Sequence, residues 1–134
     1  MIPLTIGLLN QDIEMEQQPD RTYRMDQDRE YIRGHTESLD AVKQAAFKIL
    51  NTERYQHVIY SWDYGIETMD LYGEPMTYVC PELERRITEA LACDPRIMEV
   101  TDFEFEMVEK GVLHVTFMIH TTFGTAKMEK EVEI

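Results

Sequence analysis

Val112–Phe123 reads VLHVTFMIHTTF. In an extended chain Leu113, Val115, Phe117 and Ile119 fall on one face, and His114, Thr116, Met118 and His120 on the other. A period of two marks a strand with one buried face. Upstream, Ile97–Val108 carries Phe103, Phe105 and Met107 in alternation, and Glu109-Lys110-Gly111 supplies a hairpin turn. Downstream, Gly124 supplies a second turn. Ala126, Met128, Lys130, Val132 and Ile134 then alternate with Lys127, Glu129, Glu131 and Glu133. The three runs predict an antiparallel meander whose apolar face needs a cover.

Two helices supply that cover. Leu39, Val42, Ala46, Ile49 and Leu50 follow helical spacing. Thr36 or Ser38 is the expected cap, Glu37 and Asp40 suit the positive end, and Asn51-Thr52 ends the helix. A second helix is predicted over Pro81–Ala92, with Leu83, Ile87, Ala90 and Leu91 turned inward. Pro81, Glu82 and Glu84 fit its first turn, and Pro95 stops it.

Before the first helix, TYRM and EYIR predict two short strands around the turn DQD, with Gly34 allowing a sharp turn. Between the helices, His57–Tyr60 predicts a short apolar strand. An aromatic-rich linker follows, bending at Gly65 and Gly73. The expected fold class is α+β: two helices packed on a mainly antiparallel sheet, forming one domain over residues 21–134. Residues 1–20 are polar and acidic after Leu9, which predicts a flexible N-terminal arm. Its apolar start, from Ile2 to Leu9, either packs on its own domain or reaches a neighbouring subunit.

The 134 residues are 43% hydrophobic, enough to bury a core. With 26 acids against 13 bases the formal charge is −13, and phosphate binding needs the opposite surface, so no nucleic-acid partner is expected. The acidity serves solubility or docks on a basic partner. The start of the chain lacks a basic region and a small-residue cleavage site, and no run reaches the ~20 apolar residues of a membrane span. No membrane partner and synthesis in the cytoplasm are the expectations. Cys80 and Cys93, 13 residues apart around a helix, are expected as free thiols, because that helix separates them by about 20 Å.

No catalytic residue, cofactor site or metal site is expected. A glycosidase needs two carboxylates across a cleft, one with a raised pKa, and none of the acids is set apart by its neighbours. His114 and His120 lie six residues apart on one strand face, about 20 Å at strand rise, too far to share an ion. The chain has two serines, Ser38 and Ser61, and no Ser-His-Asp arrangement or phosphate loop.

Two segments suit protein partners. Asp94-Pro95-Arg96 either simply stops a helix or holds an acid and a guanidinium on a rigid corner, where Arg96 forks onto a partner. The strand Ala126–Ile134 ends the meander, so its edge is either guarded by Lys127, Glu129, Lys130 and Glu131 or open to a strand from another chain.

Three stretches carry a family resemblance: KQAAFKILNTERYQHVIYSWDYGIETMDLYGEP over Lys43–Pro75, RYQHVIYSWDYGIETMDLYG within it, and LERRITEALACDPRIMEV after it. They are similar to the baseplate wedge and sheath-initiator family of contractile phage tails. The likeness runs from about Thr22 to Ile134 and is to the branch of defective phage-like elements and tail-like bacteriocins of Gram-positive bacteria. The resemblance implies a structural baseplate protein that links wedge proteins to the first sheath ring and templates the sheath by strand addition. It implies sheath and wedge proteins as partners, contacts to tube or hub proteins, and six copies in the baseplate of the particle. The family carries Glu-Pro-Arg where this chain has Asp94-Pro95-Arg96. Older family names say "lysozyme-like", so a peptidoglycan hydrolase is one alternative. A small regulatory adaptor using the same fold is another.

Overall fold

A computed structural model describes residues 21–134, except Val58. The expected arm, residues 1–20, lies outside them. The chain runs through strands β1 (Thr22–Asp26) and β2 (Tyr31–Thr36), helix α1 (Ser38–Leu50), a one-turn 3-10 helix (Met69–Leu71) and helix α2 (Met76–Leu91). It closes with β3 (Ile97–Glu109), β4 (Val112–Thr121) and β5 (Gly124–Glu133).

The α+β architecture follows the alternation read in the sequence. β3, β4 and β5 form an antiparallel sheet in that order, with β4 in the centre. Leu113, Val115, Phe117 and Ile119 are buried on its inner face, beneath Val42, Ala46, Ile49 and Leu50 of α1 and Leu83, Ile87, Ala90 and Leu91 of α2. α1 lies against β5 and α2 against β3. Burying apolar surface on both sides of this layer is the main stabilising term.

The two outer strands of the sheet differ. β4 and β5 pair through ten successive residues, from Val112↔Glu133 to Thr121↔Gly124, without a break. β3 carries three register shifts against β4, and Asp102 sits at φ +57° beside the middle one. Bulges twist an edge and spoil it as a template. β3 is thus a blunted edge, while β5 is a regular one.

Four local expectations are corrected. Gly34 does not end β2; at φ +70° it sits in a register shift that leaves one extra residue on β2 between Ile32 and His35. Neither Thr36 nor Ser38 caps α1: Glu37 occupies the cap position, with no side-chain hydrogen bond. No strand forms at Ile59 and Tyr60, where Ile59 is 87% exposed. A four-residue apolar run has no ladder unless a partner strand lies beside it. Finally, α2 begins at Met76, so Pro81, Glu82 and Glu84 are interior. Pro75 supplies the start: its carbonyl accepts from the N–H groups of Tyr78 and Val79. Burial of Val79 in the core holds that first turn although Pro81 cannot donate a helical bond. Cys80 therefore lies within the helix; it and Cys93 are free thiols.

The long segment between the helices is tied down by polar contacts. The Glu53 carboxylate accepts from the Thr68 N–H (2.8 Å), the Thr68 hydroxyl (2.8 Å) and the Met69 N–H (3.2 Å). Arg86 forks onto Asp70 and also reaches Glu82 and the Glu67 carbonyl. Ile66 and Leu71 anchor the segment in the core. At the bend, Gly65 has φ +94°, and a Cβ there would lie 2.5 Å from the Thr52 carbonyl oxygen. That oxygen accepts from the Ile66 N–H, so it cannot move away cheaply. Gly65→Ala should therefore cost about 3 kcal/mol through strain and clash. Urea unfolding of the purified variant checks this; a loss below about 1 kcal/mol would mean the bend relaxes freely.

Candidate partner-binding surfaces

The Asp94-Pro95-Arg96 corner joins α2 to β3, and its geometry is fully engaged internally. Asp94 is buried. Its carboxylate accepts from the Arg96 backbone N–H (3.0 Å), Nε (3.0 Å) and Nη2 (2.8 Å). The Arg96 carbonyl accepts from the Thr122 N–H, which pins the corner to the β4–β5 turn. Of the two arrangements the sequence left open, the described contacts show Arg96 turned toward its own chain. Arg96 closes a bidentate pair with Asp94 two residues away, because the proline turn brings the two side chains face to face. Pro95 and Met98 form the exposed rim of the corner.

Burial of Asp94 opposes its charge, but the hydrogen bonds from Arg96 outweigh that and hold the carboxyl below its usual range. A carboxyl held low in the fold stabilises above its unfolded pKa of about 3.9. That contribution fades as pH falls through the folded value. Arg96→Ala should leave a buried carboxylate unpaired and cost about 2–3 kcal/mol near pH 7. The difference from the parent should shrink as pH is lowered to about 3, below the unfolded carboxyl pKa of about 3.9. Urea unfolding at both pH values checks it; an equal loss at both would remove the ion pair as the cause.

The β5 surface lies at the far edge of the sheet, so the structure does not bring it together with the corner. Lys127, Glu129 and Glu131 are exposed on the outer sheet face. His114 of β4 stands between the two glutamates, with Nε2 3.4 Å from Glu129 and Nδ1 3.8 Å from Glu131. Lys130 belongs to the core-facing row and is half-buried. Burial pushes its amine down, against the pull of Glu53.

A groove of about 1050 Å³ runs along this edge. One wall is five consecutive β5 residues, 127–131. Since neighbours in a strand point to opposite faces, a wall of consecutive residues is an edge and not a face. Asp40, Lys43, Gln44 and Phe47 of α1 form the floor, and Arg21 with Arg24 and Met25 of β1 closes the far side. Gln44 fixes that far side: its Oε1 accepts from the Met25 N–H (2.8 Å) and its Nε2 donates to the Tyr23 carbonyl (2.7 Å). β1 therefore spends its outward groups on α1 there. Nothing in the sequence singled out Gln44, since a polar residue on a helix reads as a solvent contact.

Sequence reasoning also left Glu53 and Arg86 unassigned, although they shape the linker. That linker exposes Ile59 and Trp62. Among the described residues no group of three or more His, Cys, Asp or Glu could hold a metal ion. No helix there is long and apolar enough to cross a membrane.

The sheet thus has an irregular edge at β3 and a regular, grooved one at β5, beside a two-helix layer. The family model for the contractile injection system sheath initiator matches residues 21–124. This chain belongs to the sheath initiator family. The chain is also 36% identical over 127 residues to the phage-like element PBSX protein XkdS of Bacillus subtilis (strain 168). That alignment covers 90% of this chain and 89% of the relative. The resemblance read from Lys43–Pro75 is confirmed, and membership gives the chain a structural role in a contractile tail.

Proposed function

We propose that this chain links the baseplate wedge to the first sheath ring and starts sheath assembly by accepting a strand on β5. The observation that carries this reading is the unbroken ten-residue register of β5, an edge with no partner strand among the described residues. Added strands gain affinity from backbone bonds, and a regular edge offers them in sequence. The exposed Pro95 rim, held rigid by the Asp94–Arg96 pair, serves as the wedge contact, in six copies around the baseplate. Electron microscopy of particles from cells lacking this chain tests the role. Tubes and wedges without sheath are the expected result; normally sheathed particles would overturn it.

No chemistry accompanies this role. A glycosidase needs a carboxylic acid with a raised pKa. Asp63, Asp70, Glu82 and Asp94 are all held below the usual carboxylate range instead. Purified protein should release no soluble fragments from peptidoglycan, and lysis abolished by one carboxylate-to-amide change would reverse the assignment.

A further inference from the structure

The groove beside β5 differs in charge from the rest of the molecule. The chain carries 26 acids and 13 Lys and Arg. The groove is lined by five of those bases, Arg21, Arg24, Lys43, Lys127 and Lys130, against four acids, Glu37, Asp40, Glu129 and Glu131. Five less four leaves it net positive in a protein whose formal charge is −13.

The acids there already have polar or dipolar neighbours. Glu129 and Glu131 face His114. Glu37 and Asp40 stand at the amino end of α1, where the helix dipole favours a negative charge. Three of the bases do not: among the described residues Arg24, Lys43 and Lys127 enter no ion pair. Lys130 lies half-buried at the same wall, its amine pushed down by burial and pulled up by Glu53.

We infer that the groove selects its strand by charge: the segment that pairs with β5 is an extended peptide of another chain bearing carboxylates, which meet Lys43, Lys127 and Arg24. The groove wall of five residues spans about 17 Å at strand rise, so one strand of about five residues fills it. Gln44 occupies the outward groups of β1 at Tyr23 and Met25, so an incoming strand pairs on the β5 side alone. Backbone bonds then supply affinity, while cross-strand charge pairs set register and exclude basic segments. A surface of strongly negative charge would otherwise repel an acidic strand, and this local reversal is what admits one.

The inference rests on the strand-addition reading, and the test separates the two. The probes are fluorescently labelled ten-residue peptides of alternating Glu and Val, the same with Lys for Glu, and the Glu–Val peptide with every second backbone nitrogen methylated. Anisotropy with the full chain is measured at about 50 mM salt, where screening is weak. The Glu–Val peptide should bind at least tenfold tighter than the Lys–Val peptide, and Lys43→Glu with Lys127→Glu should erase the preference. Both lysines are exposed, so circular dichroism should show the fold intact. Equal binding of the two peptides, a preference that survives the double variant, or no binding of either overturns charge selection. So does a peptide-free protein whose scattering mass is that of two chains, since a second copy would then fill the groove. Undiminished binding of the methylated peptide overturns strand addition itself, whatever the charge preference.

Discussion

A proline at Glu129 should leave the protein folded and stop sheath polymerisation on its baseplate. The direction of each β5 amide follows from the register. The Ile134 N–H donates to the Gly111 carbonyl at 2.8 Å, on the β4 side of the strand. Amides two residues apart point the same way. Lys130, Met128 and Ala126 therefore donate toward β4, and Glu129, Lys127 and Glu131 donate outward. Proline at Glu129 removes one donor from the free edge and none from the ladder. Proline at Lys130 instead breaks the pair with Val115 at the centre of the sheet. That variant should lose about 1–3 kcal/mol from the orphaned carbonyl alone. The two neighbours thus give opposite results: Glu129→Pro keeps its unfolding midpoint and yields unsheathed particles, whereas Lys130→Pro yields little stable protein. Normal sheaths seeded by Glu129→Pro would show that β5 is not the template. Removal of the last five residues is a poorer test, because Val132 is buried and the deletion would damage the core.

Phe117→Ala should be the most destabilising single change in the core. Phe117 is 1% exposed at the middle of the central strand, and its ring stacks on Phe103 with centroids 5.4 Å apart. It therefore contacts both the helical layer and the neighbouring strand. Truncating such a side chain typically costs about 3–5 kcal/mol. Stabilities of small domains are themselves about 5–15 kcal/mol. The variant should unfold at a much lower urea concentration with a similar slope. Met118→Ala, one residue along and on the outer face, serves as the control and should cost under about 1 kcal/mol. Equal losses at the two positions would mean that the sheet faces have been assigned wrongly.

The meander was legible because period-two alternation survives only where one sheet face is buried, and β4 and β5 meet that condition throughout. The helix stripes were legible for the same reason at period 3.6. The errors arose where a short stretch depended on something distant. His57–Tyr60 has strand composition but no neighbour to pair with. Pro81 looks like a helix start, yet Pro75 and the buried Val79 start the helix earlier. Gly34 signals positive φ correctly, but the turn it implied is a bulge, and only the pairing of β1 with β2 distinguishes the two.

For the binding surfaces the division is similar. Residue types alone marked Asp94, Pro95 and Arg96 as a rigid charged corner and β5 as a terminal strand. They did not reveal that Arg96 turns back on Asp94, since a guanidinium two residues from a carboxylate can face inward or outward. The groove was invisible in the sequence. Its walls come from within residues 21–27 and 35–51, from His114 and from 127–131, far apart along the chain. The alternation along each strand, a local property, determined by itself that a one-sided meander forms and which residues it buries. Which edge stays open, and what charge it shows, was decided only when α1 and the β1–β2 hairpin packed alongside β5, because edges and grooves are relations between elements that no single segment encodes.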